Sequence, residues 1–457
     1  MLNEPAFFTN DDHMRHNPLL GQRSMNEMIV PPQPQVDPLY DEIRAAVESV
    51  FNIHDEEIEP RDDEDLRQKE YLVLLPQDSQ IVLAYHGQMR ATAEDAYSRL
   101  DAILKPHDLI PVFRPATDAN APHTIYVVRG RGRPNVGGRW LSVFLFVATL
   151  LSVLFVGTLQ AVSMMERTEP LAAQQIFDNL FANLWRGLPY ASSILLILGA
   201  HELGHYFAAR YHKTDTSLPY FLPFPFGIFG TFGAAIRLRE PMRNRKVLFD
   251  IGAAGPLVGL VFAIPILFIG LMTSETGVVS SGLVEGNSLF YGAAKVLVFG
   301  EWLPNGEIDV YVNQLAWAGW TGLLVTGLNL IPIGQLDGGH VLYSLLGKNA
   351  RRLYYPLIIG LVGLTIFYAN ELIIFVVLIV LMGNNHATPL DDITPLDTRR
   401  RNLALFTLGI FVLVFVPSPL SQVTVSNTGG TNGFVFESTL LMTMWLGGLM
   451  LLRRDRG

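Results

Sequence analysis

The chain has 457 residues, of which 49% are hydrophobic and only 16% are charged, so an ordinary soluble enzyme is excluded as the default interpretation. It contains no cysteine, which excludes disulfides, cysteine-ligated zinc, iron–sulfur clusters and thiol catalysis. The net charge of −9 gives no overall bias toward nucleic acid, and we expect no nucleic-acid partner.

The N-terminal part of the chain is polar. Residues 1–36 show no hydrophobic periodicity and end in a proline-rich tract, which predicts a disordered segment. Residues 37–130 predict a small soluble α/β domain without a phosphate-binding loop or catalytic cluster, and therefore a regulatory or substrate-presenting role. Its predicted elements are a helix at 39–51, strands at 71–75 and 81–85, a helix at 91–104, and strands at 108–114 and 124–128.

Long uncharged runs dominate the rest of the chain. Residues 140–165 and 310–336 are free of charged residues over 26 and 27 positions, and about 18 apolar residues already predict a membrane span. Backbone groups in lipid must be paired within their own segment, so the spans should be helices. We predict an α-helical polytopic membrane protein with eight spans, at 140–165, 188–211, 249–272, 315–331, 354–369, 371–382, 402–416 and 438–452.

Lysine and arginine set the predicted orientation. With the N-terminus in the cytoplasm, the inner loops carry twenty of these residues and the outer loops three, as the positive-inside rule requires. This count favours a hairpin of two helices over residues 354–382, because the alternative, one long tilted helix, would place residues 399–401 outside. Both termini are then cytoplasmic, and the acidic start of the chain predicts no signal peptide.

Ionisable residues interrupt the second predicted span. It contains His201, Glu202 and His205 in a His-Glu-x-x-His pattern, which places both imidazoles on one helix face with the carboxylate beside them. Such groups are costly within a membrane, so they indicate a functional site. The alternative is a pair of buried histidines that serve only as hydrogen-bonding core residues.

A third metal ligand is expected from the end of the fourth span. Pro332, Gly334, Gly338 and Gly339 should loosen the chain there and let the Asp337 carboxylate turn toward a metal. His205 lies eight residues from Lys213 and Asp337 lies eleven from Lys348, so both should lie about 12–17 Å from the cytoplasmic boundary. His340 is the competing third ligand, for which packing or a hydrogen bond to a ligand is the expected role.

Two histidines and one aspartate predict a Zn²⁺ ion with an open position for water, although other first-row metals share such ligands. Glu202 would then act as general base and pass the proton to the leaving amine. Asn329 could donate a hydrogen bond to the tetrahedral oxyanion.

At these residues the sequence resembles the site-2 protease family of intramembrane zinc metalloproteases. The resemblance covers residues 188 to 400 and rests on the HELGH sequence at 201–205 and on an N-x-x-P-x-x-x-L-D-G motif at 329–338. It implies a six-helix core within residues 131–400, a C-terminal transmembrane hairpin at 401–457, and cleavage of a single-pass or other transmembrane substrate within the bilayer. It is closest to prokaryotic and plastid members with a soluble N-terminal extension, and a prokaryotic plasma membrane is the expected location.

Two other functions remain open. A proteolytically silent relative could act as a membrane scaffold or chaperone, but it should have lost a ligand or Glu202. A secondary transporter would also use broken helices, yet the sequence shows no internal repeat. The oligomeric state cannot be predicted.

Four further segments carry expectations. Residues 218–236 are apolar but rich in proline and glycine, which predicts a re-entrant loop or hairpin near the metal. Its edge around residues 231–235 could pair with an unwound substrate, and an ordinary membrane-embedded loop is the alternative. Residues 251–259 carry small residues four apart, which predicts a helix-packing face. Residues 289–299 are expected on the outer surface, and residues 386–392 form a cytoplasmic turn for which metal binding is an open alternative.

Overall fold

The computed structural model describes residues 38–60, 79–116, 121–130, 138–278, 282–367, 373, 376–377 and 387–423. Its first part is an antiparallel four-stranded sheet, in the order β1-β2-β4-β3, with two helices packed against it. The shared core includes Val47, Tyr85, Leu100 and Phe113, all of which are fully buried. The elements are α1 (Pro38–Val50), β1 (Phe51–Ile58), β2 (Gln80–Met89), α2 (Ala93–Leu104), β3 (Leu109–Arg114) and β4 (His123–Arg129).

Strand β1 was not predicted. Its sequence FNIHDEEI is mostly polar and its residues are mostly exposed, so it lacks the apolar alternation by which a strand is recognised. It forms because β2 offers it an antiparallel ladder from Phe51 to Ile58, interrupted by a bulge at His54. The strand predicted at 71–75 lies outside the described residues.

The rest of the described chain is mainly helical. Its helices are α3 (Arg139–Met165), α4 (Pro170–Asp178), α5 (Leu188–Tyr211), α6 (Arg245–Met272), α7 (Leu289–Phe299), α8 (Gln314–Asn329), α9 (Asp337–Leu346), α10 (Tyr354–Phe367) and α11 (Thr398–Val414). Three two-stranded antiparallel sheets join them, pairing β5 (Tyr220–Pro223) with β6 (Thr231–Ala235), β7 (Glu275–Val278) with β9 (Ile308–Tyr311), and β8 (Gly282–Glu285) with β10 (Leu420–Val423).

Two helices of the described part, α3 and α6, are long and apolar enough by composition to cross a membrane. Six of the eight predicted spans coincide with helices, namely α3, α5, α6, α8, α10 and α11. The span predicted at 438–452 and nearly all of 371–382 lie outside the described residues. The number of membrane crossings and the hairpin at 354–382 therefore stay predictions.

Small residues let α6 approach both α5 and α8 closely. A Cβ on Gly204 of α5 would lie 2.7 Å from the carbonyl oxygen of Ala254, and one on Gly319 of α8 would lie 2.5 Å from the Cα of Leu267. Side chains at these glycines would push the helices apart, so α6 is the central helix against which the other two pack.

Helix α7 presents two faces. Leu289 and Leu297 are exposed, but Lys295 on the opposite face is fully buried. The Lys295 Nζ lies 3.1 Å from a carboxylate oxygen of Glu285 and 3.4 Å from one of Asp309. Burial raises the pKa of Glu285, and the Lys295 charge opposes that rise. The buried ions thus tie α7 to the strands before and after it.

Candidate metal centre

Helix α5 brings the first two candidate ligands together. His201 and His205 lie one turn apart on the same face and are only 4% and 7% exposed. Their Nε2 atoms are 3.2 Å apart. One neutral imidazole could donate to the other at this distance, whereas a cation shared between them would use the lone pairs of both Nε2 atoms.

Asp337 reaches this pair because the chain unwinds after α8 and turns. Gly334 adopts a φ of +61°, a backbone conformation that is strained for any residue with a side chain. A new helix begins at Asp337. The prediction that Gly338 and Gly339 loosen the backbone is wrong, because both lie inside α9. A Cβ on Gly338 would lie 2.0 Å from the Leu330 carbonyl oxygen, so glycine is needed there for close packing of the turn.

The three ligand atoms form a nearly equilateral triangle. The Oδ2 atom of Asp337 lies 3.4 Å from the Nε2 atom of His201 and 3.4 Å from that of His205, and the two nitrogens are 3.2 Å apart. Zinc with bonds of about 2.0–2.2 Å and tetrahedral angles requires ligand separations of about 3.3–3.6 Å. The triangle therefore fits one zinc-sized ion, and it is the one such group of His, Asp or Glu in the described ranges.

Helix α6 orients the imidazoles, a contribution that the sequence did not reveal. The Nδ1 atom of His205 lies 2.7 Å from the Ile251 carbonyl oxygen, so it carries the proton and leaves the Nε2 lone pair free for a metal. Below the rings α6 has glycine: a Cβ on Gly255 would lie 2.1 Å from the His205 Nε2, and one on Gly259 would lie 3.2 Å from the His201 Cβ. The small-residue face predicted for helix packing thus packs against two of the candidate metal ligands, His201 and His205.

The predicted catalytic side chains border the triangle. Glu202 is 6% exposed, and its carboxylate lies near the backbone N–H of Ile236. Asn329, the last residue of α8, places its Nδ2 atom 3.3 Å from the His201 Nε2. Asn329 thus contacts the triangle, and Glu202 is electrostatically coupled to all three of its residues.

The hairpin predicted at 218–236 is present, and it ends at this site. Strands β5 and β6 pair from Tyr220 with Ala235 to Pro223 with Thr231, and Ile236 follows directly. The turn of the hairpin is held by α3 and α5, because Ser152 donates to the Gly230 carbonyl at 2.5 Å and Tyr190 donates to the Phe229 carbonyl at 2.9 Å.

His340 does not belong to the triangle. It lies one turn along α9 from Asp337, and its Cβ faces Gly252 of α6 at a distance that leaves no room for a side chain there. The structure thus places it at the interface of α6 and α9.

Comparison with known proteins agrees with this site. Residues 189–366, which include all three candidate ligands, match the family described as Peptidase family M50. The chain carries a peptidase family M50 domain. The resemblance to site-2 proteases noted from the sequence is thereby confirmed.

Among similar proteins are chloroplastic relatives of the M50 domain. "Probable zinc metalloprotease EGY2, chloroplastic" of Arabidopsis thaliana is 29% identical over 74% of the chain and 60% of its own length. The protein of the same name from Oryza sativa subsp. indica is 30% identical over 58% of the chain and 49% of its own length. "Probable zinc metalloprotease EGY1, chloroplastic" of Oryza sativa subsp. japonica is 27% identical over 72% of the chain and 62% of its own length.

The chain thus spans between 49% and 62% of the length of these three relatives. No solved structure matches it.

Proposed function

We propose that the protein is an intramembrane zinc metalloendopeptidase that hydrolyses peptide bonds in or near a transmembrane segment of another membrane protein. The observation that carries the proposal is the triangle of His201, His205 and Asp337, with ligand separations of 3.2 to 3.4 Å, beside a buried Glu202. The M50 match and the names of the relatives, zinc metalloproteases, support it.

Each residue of the site has a role that follows from its position. When bound, zinc supplies a Lewis acid that polarises the scissile carbonyl and makes a water more acidic. Glu202 takes the proton of the attacking water and transfers it to the leaving amine as the C–N bond breaks. The nearby Ile236 amide can donate to the Glu202 carboxylate and so orient it. Asn329 donates to the oxyanion that forms on the carbonyl.

The β5–β6 hairpin suggests how a substrate reaches Glu202. A transmembrane helix must unwind before its peptide bonds can be attacked, because its carbonyls are occupied by the helical ladder. An unwound segment laid along β6 as an added strand would be led to Ile236, and hence to Glu202. We therefore propose that the hairpin presents the substrate in an extended form.

The proposed location is a membrane that the chain crosses several times, with its basic loops and both termini on the cytoplasmic side. A prokaryotic plasma membrane fits the sequence, and a plastid membrane is the corresponding location for the relatives named chloroplastic.

The test compares purified wild type with Glu202→Gln, reconstituted in liposomes with single-pass substrates. The variant should keep one equivalent of zinc, lose cleavage and retain uncleaved substrate in a pull-down, because only the proton acceptor has been removed. Glu166→Gln, an exposed change in the loop after α3, is the matched control and should cleave normally. Normal cleavage by Glu202→Gln, or no metal in the wild type, would reject the proposal. The scaffold alternative predicts no cleavage by either protein.

A further inference from the structure

We propose that Asp392 is a positioning residue that couples the N-terminal α/β unit to the two helices, α6 and α9, that orient the metal ligands. The inference rests on the proposed function only in taking His201, His205 and Asp337 as metal ligands. It assigns a role to a segment that the sequence presented as a simple cytoplasmic turn.

Strand β3 provides the first observation. It lies at the edge of the four-stranded sheet, yet all six of its residues are buried. The cover is the segment 389–392, which runs parallel to β3. The Phe113 N–H donates to the Leu390 carbonyl at 2.8 Å, and the Asp392 N–H donates to the Phe113 carbonyl at 3.2 Å. The segment is therefore an added strand, covering an edge that would otherwise be open to pairing.

The other edge of the same segment pairs with the residues that lead into α6. The Leu390 N–H donates to the Met242 carbonyl at 2.9 Å, and the Asp391 N–H donates to the Arg243 carbonyl at 2.7 Å. The sheet of the α/β unit thus continues through the segment 389–392 to the start of α6.

Contacts with the α/β unit hold the segment 389–392 in this arrangement. Leu390 is 9% exposed and belongs to the unit's hydrophobic core. Arg114, only 4% exposed, donates to the carbonyls of Pro389 and Leu390 at 3.0 and 3.1 Å. Because these contacts are shielded from water, the segment can move only together with the sheet.

Asp392 then connects the segment to both helices of the metal site. It is 1% exposed, and its two carboxylate oxygens accept separate hydrogen bonds, from the Arg245 Nε at 2.8 Å and from the Tyr343 hydroxyl at 2.9 Å. A buried carboxylate needs its partners, and removing one side of such a pair is strongly destabilising locally. The contact is therefore far more specific than the exposed ion pair of Glu94 with Lys246 at the same boundary.

Each partner lies six residues along its helix from a group of the candidate metal site. Arg245 begins α6, six residues before Ile251, whose carbonyl holds the His205 ring. Tyr343 lies six residues after Asp337 on α9. At 1.5 Å per residue each helix carries a displacement at Asp392 over about 9 Å to a group that sets the ligand geometry. Asp392 thus controls the relative position of Asp337 and His205.

The experiment uses the full-length protein and three variants: Asp392→Asn, Tyr343→Phe and, as control, Glu94→Gln. Cobalt(II) replaces zinc, since its visible absorption reports coordination geometry, and its affinity is measured by titration. Because the chain has no cysteine, spin labels can be placed on cysteines introduced at the exposed positions Arg99 and Arg210. Their separation then reports how the α/β unit sits relative to α5.

Asp392→Asn should weaken cobalt binding by about 10-fold, the lower end of the loss that follows removal of a group hydrogen-bonded directly to a metal ligand, because Asp392 acts through two helices. It should also alter the cobalt spectrum and broaden the distance distribution between the labels. Tyr343→Phe should shift the spectrum in the same direction, while Glu94→Gln leaves spectrum and affinity unchanged. A merely structural role for Asp392 would lower the melting temperature with a normal spectrum, and that result would overturn the proposal.

If Asp392→Asn does not fold, Tyr343→Phe decides, because it removes a single hydroxyl. A wild-type spectrum and affinity in that variant would refute the coupling. None of these readouts requires cleavage, so the two proposals fail separately: a wild type that binds no metal refutes the proposed function, whereas variants that bind like wild type refute only the coupling.

Discussion

Gly255→Ala tests whether α6 forms the floor of the metal site. The added Cβ would lie 2.1 Å from the His205 Nε2, whereas ordinary contacts begin at 3.4 Å, so the ring must withdraw by about 1.3 Å if α6 stays in place. Metal–ligand distances tolerate deviations of only about 0.2 Å. The alanine should therefore act like the loss of a ligand, although no ligand has been changed.

Two other glycines make the prediction quantitative. At Gly259 the Cβ would lie 3.2 Å from the His201 Cβ, a conflict of about 0.2 Å that small shifts can absorb. At Gly409 of α11 nothing lies within 4 Å of the added atom. Zinc affinity should thus fall strongly in Gly255→Ala, slightly in Gly259→Ala and not at all in Gly409→Ala.

The assay is isothermal titration of zinc into metal-free protein in detergent, with the melting temperature measured in parallel. Equal affinities for Gly255→Ala and Gly409→Ala would refute the assignment of α6 as the floor. A lower melting temperature for Gly255→Ala with normal affinity would mean that the helices separate and the ligands do not move.

Three further outcomes are expected. Asp337→Ala should lose bound zinc, measured by elemental analysis, while His340→Ala keeps it; the reverse pattern would make His340 the third ligand. Asn329→Ala should retain zinc but cleave about 10²- to 10³-fold more slowly, as for loss of an oxyanion donor, and an unchanged rate would exclude that role. Lys295→Met should lower the free energy of unfolding by about 3–5 kcal/mol, because Glu285 and Asp309 lose their buried cation. An unchanged midpoint of denaturant unfolding would show that the cluster is solvated.

The candidate site was largely predictable because its ligands obey short-range rules. The spacing of His201 and His205 fixes their common face, and the charge-free runs around them fix the kind of element that carries them. Asp337 was predicted from the loosened end of the fourth span, and its depth, which needs only the rise of a helix, agreed with that of His205. The prediction for Gly338 was wrong. It was expected to loosen the backbone, but it lies in a helix and is tightly packed against the Leu330 carbonyl.

The contributions of α6 were out of reach for a different reason. Glycines four residues apart predict that something packs closely, but they do not say what. The partner here is a pair of imidazole rings, and the Ile251 carbonyl that orients one of them carries no side-chain signal at all. Every residue has a backbone carbonyl, so the type of residue does not reveal which carbonyl takes part in a site.

Strand β3 shows how a missing partner could still be inferred. Its sequence LIPVFR has apolar residues at consecutive positions, which is typical of a strand covered on both faces. Because β3 lies at the edge of the four-stranded sheet, β4 pairs with one side of it and the sheet supplies no partner for the other side. The neighbour comes from residues 389–392, more than 270 positions away, a segment too short and too proline-flanked to be predicted as a strand. The α/β unit therefore belongs with the helical part of the chain, whose segment 389–392 covers the β3 edge. Without that segment the edge would be open to pairing with other chains and to aggregation.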